Sequence, residues 1–166
     1  MDDEDDEDQG RITITISSDK HASPFLREKL SAFKVIQKTP NYLGVWFADE
    51  VVIKRYGDKP RFERAVLMQE RLFATNPLIT CELLDTWAND DEWFTVSKSG
   101  GLSGDEISYM YADEMERKMA ATRMELWNIG LVLFDDHWGN YVIDSDGICR
   151  VIDYESIEDV SILQPK

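Results

Sequence analysis

Asp135, Asn140 and Asp153 place an acid, an amide five residues on and a second acid thirteen residues further around two apolar stretches, Tyr141-Val142-Ile143 and Val151-Ile152. Mg²⁺ takes hard oxygen ligands, and an attacking hydroxyl needs a separate carboxylate to orient it and accept its proton. The set therefore points to nucleotide-dependent phosphoryl transfer. An acidic hairpin in which Gly139-Asn140 and Asp146-Gly147 merely make turns would account for the glycines. It would not account for Ile152-Asp153-Tyr154-Glu155 following an apolar strand.

A second chemical signal is Lys54 in Val51-Val52-Ile53-Lys54, one lysine at the end of a β-branched apolar run. Lysine is seldom buried unpaired, so Lys54 either meets an anion or is an edge residue whose stem packs while its amine reaches water. Sixteen residues on, Glu70 is the first candidate partner. On a wheel of 3.6 residues per turn it falls within the stripe of Val66, Leu67 and Phe73, and a carboxylate on a core face needs a cation or a strong hydrogen bond. Glu63 lies two turns earlier on nearly the same face and competes for that role.

The elements that must carry these residues follow from periodicity. Ile12-Thr13-Ile14-Thr15-Ile16 alternates as a strand does, and Ser23-Pro24 opens a short helix through Phe25, Leu26 and Leu30. Strands are expected at Phe33 to Gln37, Leu43 to Ala48 and Val51 to Tyr56, in an antiparallel meander with Asp49-Glu50 as a hairpin turn. Gly57-Asp58-Lys59-Pro60 breaks the meander before a helix from about Arg61 to Ala74. Two more strands, Leu78 to Trp87 and Glu92 to Ser97, lead into Ser99-Gly100-Gly101-Leu102, a flexible connection suited to joining two lobes. A long helix is then expected from Asp105, with Ile107, Tyr111, Met115, Met119, Leu126 and Trp127 as its core stripe.

With 166 residues, 43% of them hydrophobic and 11% aromatic, the chain falls in the globular range and fits one domain or one two-lobed unit. Its longest apolar run is far short of a membrane span, and its acidic start is unlike a secretory leader. The formal charge of −15 argues against unassisted binding to nucleic acid or anionic membrane. Asp2 to Asp8 supply seven of those charges, and the remainder is still acidic at −8. Such a block repels itself, so residues 1–10 read as a solvated disordered tail or as a lure for a basic partner surface. Cys81 and Cys149 stand alone, which suggests reduced core thiols and a cytoplasmic setting. His21 and His137 lack zinc-ligand spacing, and no Gly-x-Ser-x-Gly elbow marks a hydrolase.

The order of these elements, with Lys54 early and Asp135, Asn140 and Asp153 late, resembles the protein-kinase-like superfamily from about Phe33 to Glu155. The pattern is most similar to short phage-encoded serine/threonine kinases, with aminoglycoside and choline phosphotransferases next. The resemblance implies an α+β fold, compact and two-lobed but truncated, within a single domain spanning residues 11–166. An antiparallel sheet would form the N-lobe, about 11–98, and a reduced set of helices the C-lobe, about 102–166. It also implies ATP with Mg²⁺ or Mn²⁺ as cofactors. Asp135 would be the catalytic base, His137 a stabiliser of the transferring phosphate, and Asn140 and Asp153 the metal ligands. Lys54, Glu70, Val96 and Lys98 would bind the nucleotide.

The pattern departs from the family in several places. Gln37-Lys38-Thr39-Pro40-Asn41-Tyr42-Leu43-Gly44 carries one late glycine where a Gly-rich phosphate loop is usual, and Leu133 replaces the usual His two residues before the catalytic Asp. Asp153-Tyr154-Glu155 replaces Asp-Phe-Gly, as in the small-molecule enzymes. Only thirteen residues follow Asp153, so the activation segment and helical platform of larger kinases are expected to be missing. Three functions stay open: a kinase of host-protein Ser or Thr, a small-molecule kinase, and a pseudokinase or inhibitor engaging a basic partner through its acidic surface.

Overall fold

Ser23-Pro24 starts a helix for two local reasons. The Ser23 hydroxyl accepts from the Leu26 N–H at 3.2 Å, and Pro24 occupies the first turn, where a missing N–H costs nothing. The resulting α1 (Pro24–Leu30) buries Leu26 and Leu30 completely. The computed structural model describes residues 12–13, 22–31, 33, 35–37, 44–48 and 50–164. The acidic block, His21, most of the expected Ile12 to Ile16 strand, Asp49 and the stretch from Lys38 to Leu43 lie outside the described residues. The chain divides into two units, one of residues 1–59 and 84–98, the other of 60–83 and 99–166.

In the first unit β1 (Ile12–Thr13), β2 (Val35–Gln37), β3 (Val45–Ala48), β4 (Val51–Tyr56), β5 (Leu83–Ala88) and β6 (Trp93–Lys98) form one sheet in the order β1-β2-β3-β4-β6-β5. The meander is as expected, with Ala48 opposite Val51 across the β3–β4 hairpin. Ile53 faces a core of Leu26, Leu30, Trp46, Phe94 and Val96, and Trp46 meets Phe94 edge-on at 6.4 Å. Each such side chain contributes about 1.5–3 kcal/mol on burial. Strand alternation then fixes Lys54 on the opposite face.

The second unit holds nearly all of α2 (Lys59–Thr75), then β7 (Leu102–Ser103), α3 (Ala112–Asn128), β8 (Leu131–Leu133), β9 (Tyr141–Ile143), β10 (Cys149–Val151) and β11 (Ile157–Asp159). One small sheet runs β10-β9-β7 and another pairs β11 with β8, all antiparallel. Met115, Met119, Thr122 and Leu126 make the buried stripe of α3. Among the described residues no helix is long and apolar enough to cross a membrane.

Three expectations are corrected here. The long helix starts at Ala112 rather than Asp105, because two short 3₁₀ turns precede it. The Ser103 N–H donates to Glu106 Oε1 at 3.4 Å, and the Ser108 hydroxyl accepts from the Met110 N–H at 3.3 Å, so local side-chain bonds compete with the helix. The strand expected from Leu78 begins only at Leu83, since Asn76 Oδ1 accepts from the Leu78 N–H at 3.3 Å and turns Pro77–Ile79 into a 3₁₀ helix. On α2 the buried face is Ala65, Gln69 and Leu72, leaving Leu67 70% exposed and Glu70 and Glu63 both on the outside. A polar residue claims the core face there, because Gln69 Nε2 donates to the Cys81 carbonyl at 2.8 Å.

The connecting glycines serve close packing rather than looseness. Gly101 has φ +109°, and a Cβ there would stand 2.1 Å from the Ile143 carbonyl oxygen. Gly101→Ala is therefore expected to destabilise the second unit by about 1–3 kcal/mol, through overpacking and a disfavoured backbone conformation. Urea unfolding followed by circular dichroism measures this, and an unchanged midpoint contradicts it.

Candidate active site

The β8–β11 pairing continues one residue further, as the Phe134 N–H donates to the Ser156 carbonyl at 2.9 Å. This brings the segment after β8 alongside the one that follows β10. Asp135 comes next, with its side chain 62% exposed, and then a 3₁₀ turn, Trp138–Asn140. His137 caps that turn: its Nδ1 accepts from the Gly139 N–H at 3.1 Å. The ring proton is thereby placed on Nε2, which lies 3.5 Å from Asp135 Oδ2.

Asn140 ties the loop to Asp153. Its Nδ2 donates to the Asp135 carbonyl at 2.6 Å and to Asp153 Oδ2 at 3.3 Å, while its own carbonyl accepts from the Ile152 N–H at 3.0 Å. Both side-chain bonds use the amide nitrogen, so neither occupies its Oδ1. Ser156 donates from Oγ to the same Asp153 oxygen at 2.7 Å and holds the half-buried carboxylate in one orientation. Among the described residues no cluster of three or more His, Cys, Asp or Glu is built for a metal. An amide oxygen and one carboxylate nevertheless fit Mg²⁺, which keeps several waters and takes few protein ligands.

Asp135, His137, Asn140 and Asp153 are thus brought together within the second unit. Glu70 belongs to the exposed side of α2 in the same unit, so burial gives it no need of a cation. Lys54, Val96 and Lys98 belong to the first unit. Lys54 is half-buried, with Nζ 5.0 Å from the centre of the Tyr56 ring. Val96 pairs with Ile53 and is only 3% exposed in the core, so its side chain is on the face away from Lys54. The residue of β6 that shares the lysine's face is its cross-strand partner Thr95, which sequence reasoning passed over. Lys98 is exposed opposite Val51 at the strand end.

Sequence reasoning also missed Ser156, Asp136, Arg123, Glu116 and Tyr141. The adjacent pair Asp135-Asp136 was the available signal, since two neighbouring carboxylates call for a cation beside one of them. Burial works against the Arg123 charge, but the Asp136 carboxylate outweighs it and raises the guanidinium above its ordinary value. Burial, then the hydrogen bond to Asp136, pushes the Tyr141 hydroxyl well up. Cys81 and Cys149 are both buried, as expected, and that burial raises both thiols, which leaves neither suited to act as a thiolate nucleophile.

No family model and no curated protein sequence matches the chain. Solved structures do. A structure of the bifunctional kinase-methyltransferase WbdD is 19% identical, aligning over 69% of this chain and 30% of that one with a TM-score of 0.52. WbdD in complex with a kinase inhibitor is 18% identical over 70% of this chain and 31% of that one, also at TM-score 0.52. Monomeric WbdD gives 19% identity, 69% and 32% coverage and the same TM-score. The chain spans about a third of the length of these neighbours, and its own α+β fold, with an antiparallel N-terminal sheet and few helices, is kinase-like.

Proposed function

We propose that this chain is an ATP-dependent phosphotransferase acting on the hydroxyl of protein Ser or Thr, as the phage kinases it resembles do, with a host protein as acceptor. The observation that carries the reading is the Asn140 amide bridging the Asp135 carbonyl and Asp153 Oδ2, which ties the loop after β8 to the segment after β10 and gathers a candidate base beside a metal-type oxygen set. Asp135, exposed at the surface, orients the acceptor hydroxyl and takes its proton as the new O–P bond forms and the bond to ADP breaks. The His137 Nε2–H donates toward the transferring phosphate. Bound Mg²⁺–ATP supplies the phosphoryl group and the counter-charge on it, and Asn140 Oδ1 and the Asp153 carboxylate are the atoms that would hold the cation. Lys54 contacts the nucleotide phosphates, and the end of β6 near Lys98 provides backbone for the nucleotide base. The acidic N-terminal block engages a basic surface on the partner.

A small-molecule acceptor is the second reading, favoured by an open cleft of about 680 Å³ lined by Phe134, Asp135, Ser156, Glu158, Asp159 and Val160. The cleft is wide open, and the proposed base stands in its wall.

Incubation with labelled ATP, Mg²⁺ and cell lysate tests the proposal. Label on proteins is the expected outcome, with Lys54→Met reducing it by about 10²–10³-fold through the lost phosphate contact. Label confined to small molecules selects the second reading. No label anywhere, with ATP binding intact, identifies a pseudokinase.

A further inference from the structure

Glu116 and Arg123 stand seven residues apart on α3, which puts them on one face of the helix. Arg123 Nε donates to Asp136 Oδ2 at 2.6 Å, and its Nη2 lies 3.9 Å from Glu116 Oε2. Glu116 Oε1 in turn accepts from Trp138 Nε1 at 2.5 Å. On the other side of the loop the Tyr141 hydroxyl donates to Asp136 Oδ1 at 2.8 Å. Asp136 and Trp138 are therefore both bonded to α3, while the side chains that alternate with them, Asp135 and His137, are 62% and 54% exposed against 31% for Asp136.

We propose that Glu116 and Arg123 are positioning residues for phosphoryl transfer: by holding Asp136 and Trp138 against α3 they aim Asp135 and His137 outward at the acceptor, without touching either reactant. The inference rests on the phosphotransferase reading above. Asn140 has anchors besides the Asp135 carbonyl, its Nδ2 on Asp153 Oδ2 and its own backbone carbonyl on the Ile152 N–H, so it keeps its place when Asp136 moves.

Magnitudes separate this role from ordinary stabilisation. The Arg123–Asp136 pair is partly exposed, with side-chain accessibilities of 38% and 31%. Pairs of that kind contribute about 1 kcal/mol or less to folding. A displacement of about 1 Å at a reacting group, by contrast, costs on the order of 100-fold in rate. Loss of the clamp should thus register in turnover far more than in stability.

The test uses the full chain with Arg123→Met, Arg123→Lys, Asp136→Asn, Glu116→Gln and the Arg123→Met/Asp136→Asn double variant. In Arg123→Met, kcat is expected to fall about 10–100-fold while Kd for Mg²⁺–ATP stays within about twofold. Arg123→Lys recovers part of the rate, Glu116→Gln keeps most of it because an acceptor oxygen remains, and the double variant is no slower than the worse single one. Amide hydrogen exchange is the readout that needs no activity: residues 135–140 exchange faster in Arg123→Met, with α3 and β9 unchanged. Unaltered exchange and turnover overturn the proposal. So do multiplicative effects in the double variant, and so does a loss of nucleotide binding in step with kcat, which would mark general structural damage. Absence of phosphotransfer in the parent protein would sink the proposed function instead, and the exchange measurement would still decide whether α3 holds the loop.

Discussion

Asp135→Asn is expected to slow phosphoryl transfer by about 10²–10⁴-fold, the range contributed by a positioned general base. The substitution keeps the side chain's shape and leaves the backbone carbonyl that accepts from Asn140 Nδ2 in place. Nucleotide affinity and melting temperature should therefore stay close to the parent values. Single-turnover measurement with labelled ATP and a saturating acceptor isolates the chemical step, and a rate within about threefold of the parent would remove Asp135 from the base role. His137→Ala should cost less, because the role proposed for His137 is a hydrogen bond to the phosphate and not acceptance of the proton. It also loses the cap on the Trp138–Asn140 turn, so its effect includes some loosening of the loop.

Asp153→Asn is expected to abolish the dependence of nucleotide affinity on Mg²⁺. One of the two proposed ligands then becomes a neutral amide, and a divalent cation discriminates strongly between the two. Calorimetric ATP titrations with and without Mg²⁺ should show a clear affinity gain in the parent protein and none in the variant. Equal affinities already in the parent would rule out the metal role of Asn140 and Asp153 together. Ser156→Ala keeps the carboxylate but frees its orientation, and should weaken metal dependence by about 10–100-fold, as loss of an outer-shell partner does elsewhere.

The grouping of Asp135, Asn140 and Asp153 was legible because the base and hard cation proposed for them restrict residue type at fixed spacing, and the structure places the three in hydrogen-bonded contact through Asn140. The meander was legible from alternation and punctuation. Less could be seen where a side chain bonds to nearby backbone, as at Asn76, Ser103 and Ser108, since each converts an apparently continuous helix or strand into short turns. Hydropathy misplaced the α2 face because Gln69 is buried against a carbonyl that only the fold supplies. β8 and β11 were too short to show a period at all, and no local spacing announces a clamp between α3 and a loop more than ten residues away.

Tyr154 carries one further implication. Its hydroxyl accepts from the Cys81 N–H at 2.8 Å and donates to the Val151 carbonyl at 2.7 Å, both bonds buried, while Gln69 grips the Cys81 carbonyl from α2. A backbone rearrangement that swung Asp153 outward would drag this neighbouring ring with it and break both bonds, at about 1–3 kcal/mol each. The swung-out form is then populated at a few per cent or less on that count alone. Asp153 is thereby held in one backbone position, which would spare the metal role proposed for it most of the conformational cost of binding. A regulator that worked by flipping this turn would first have to outbid the tyrosine.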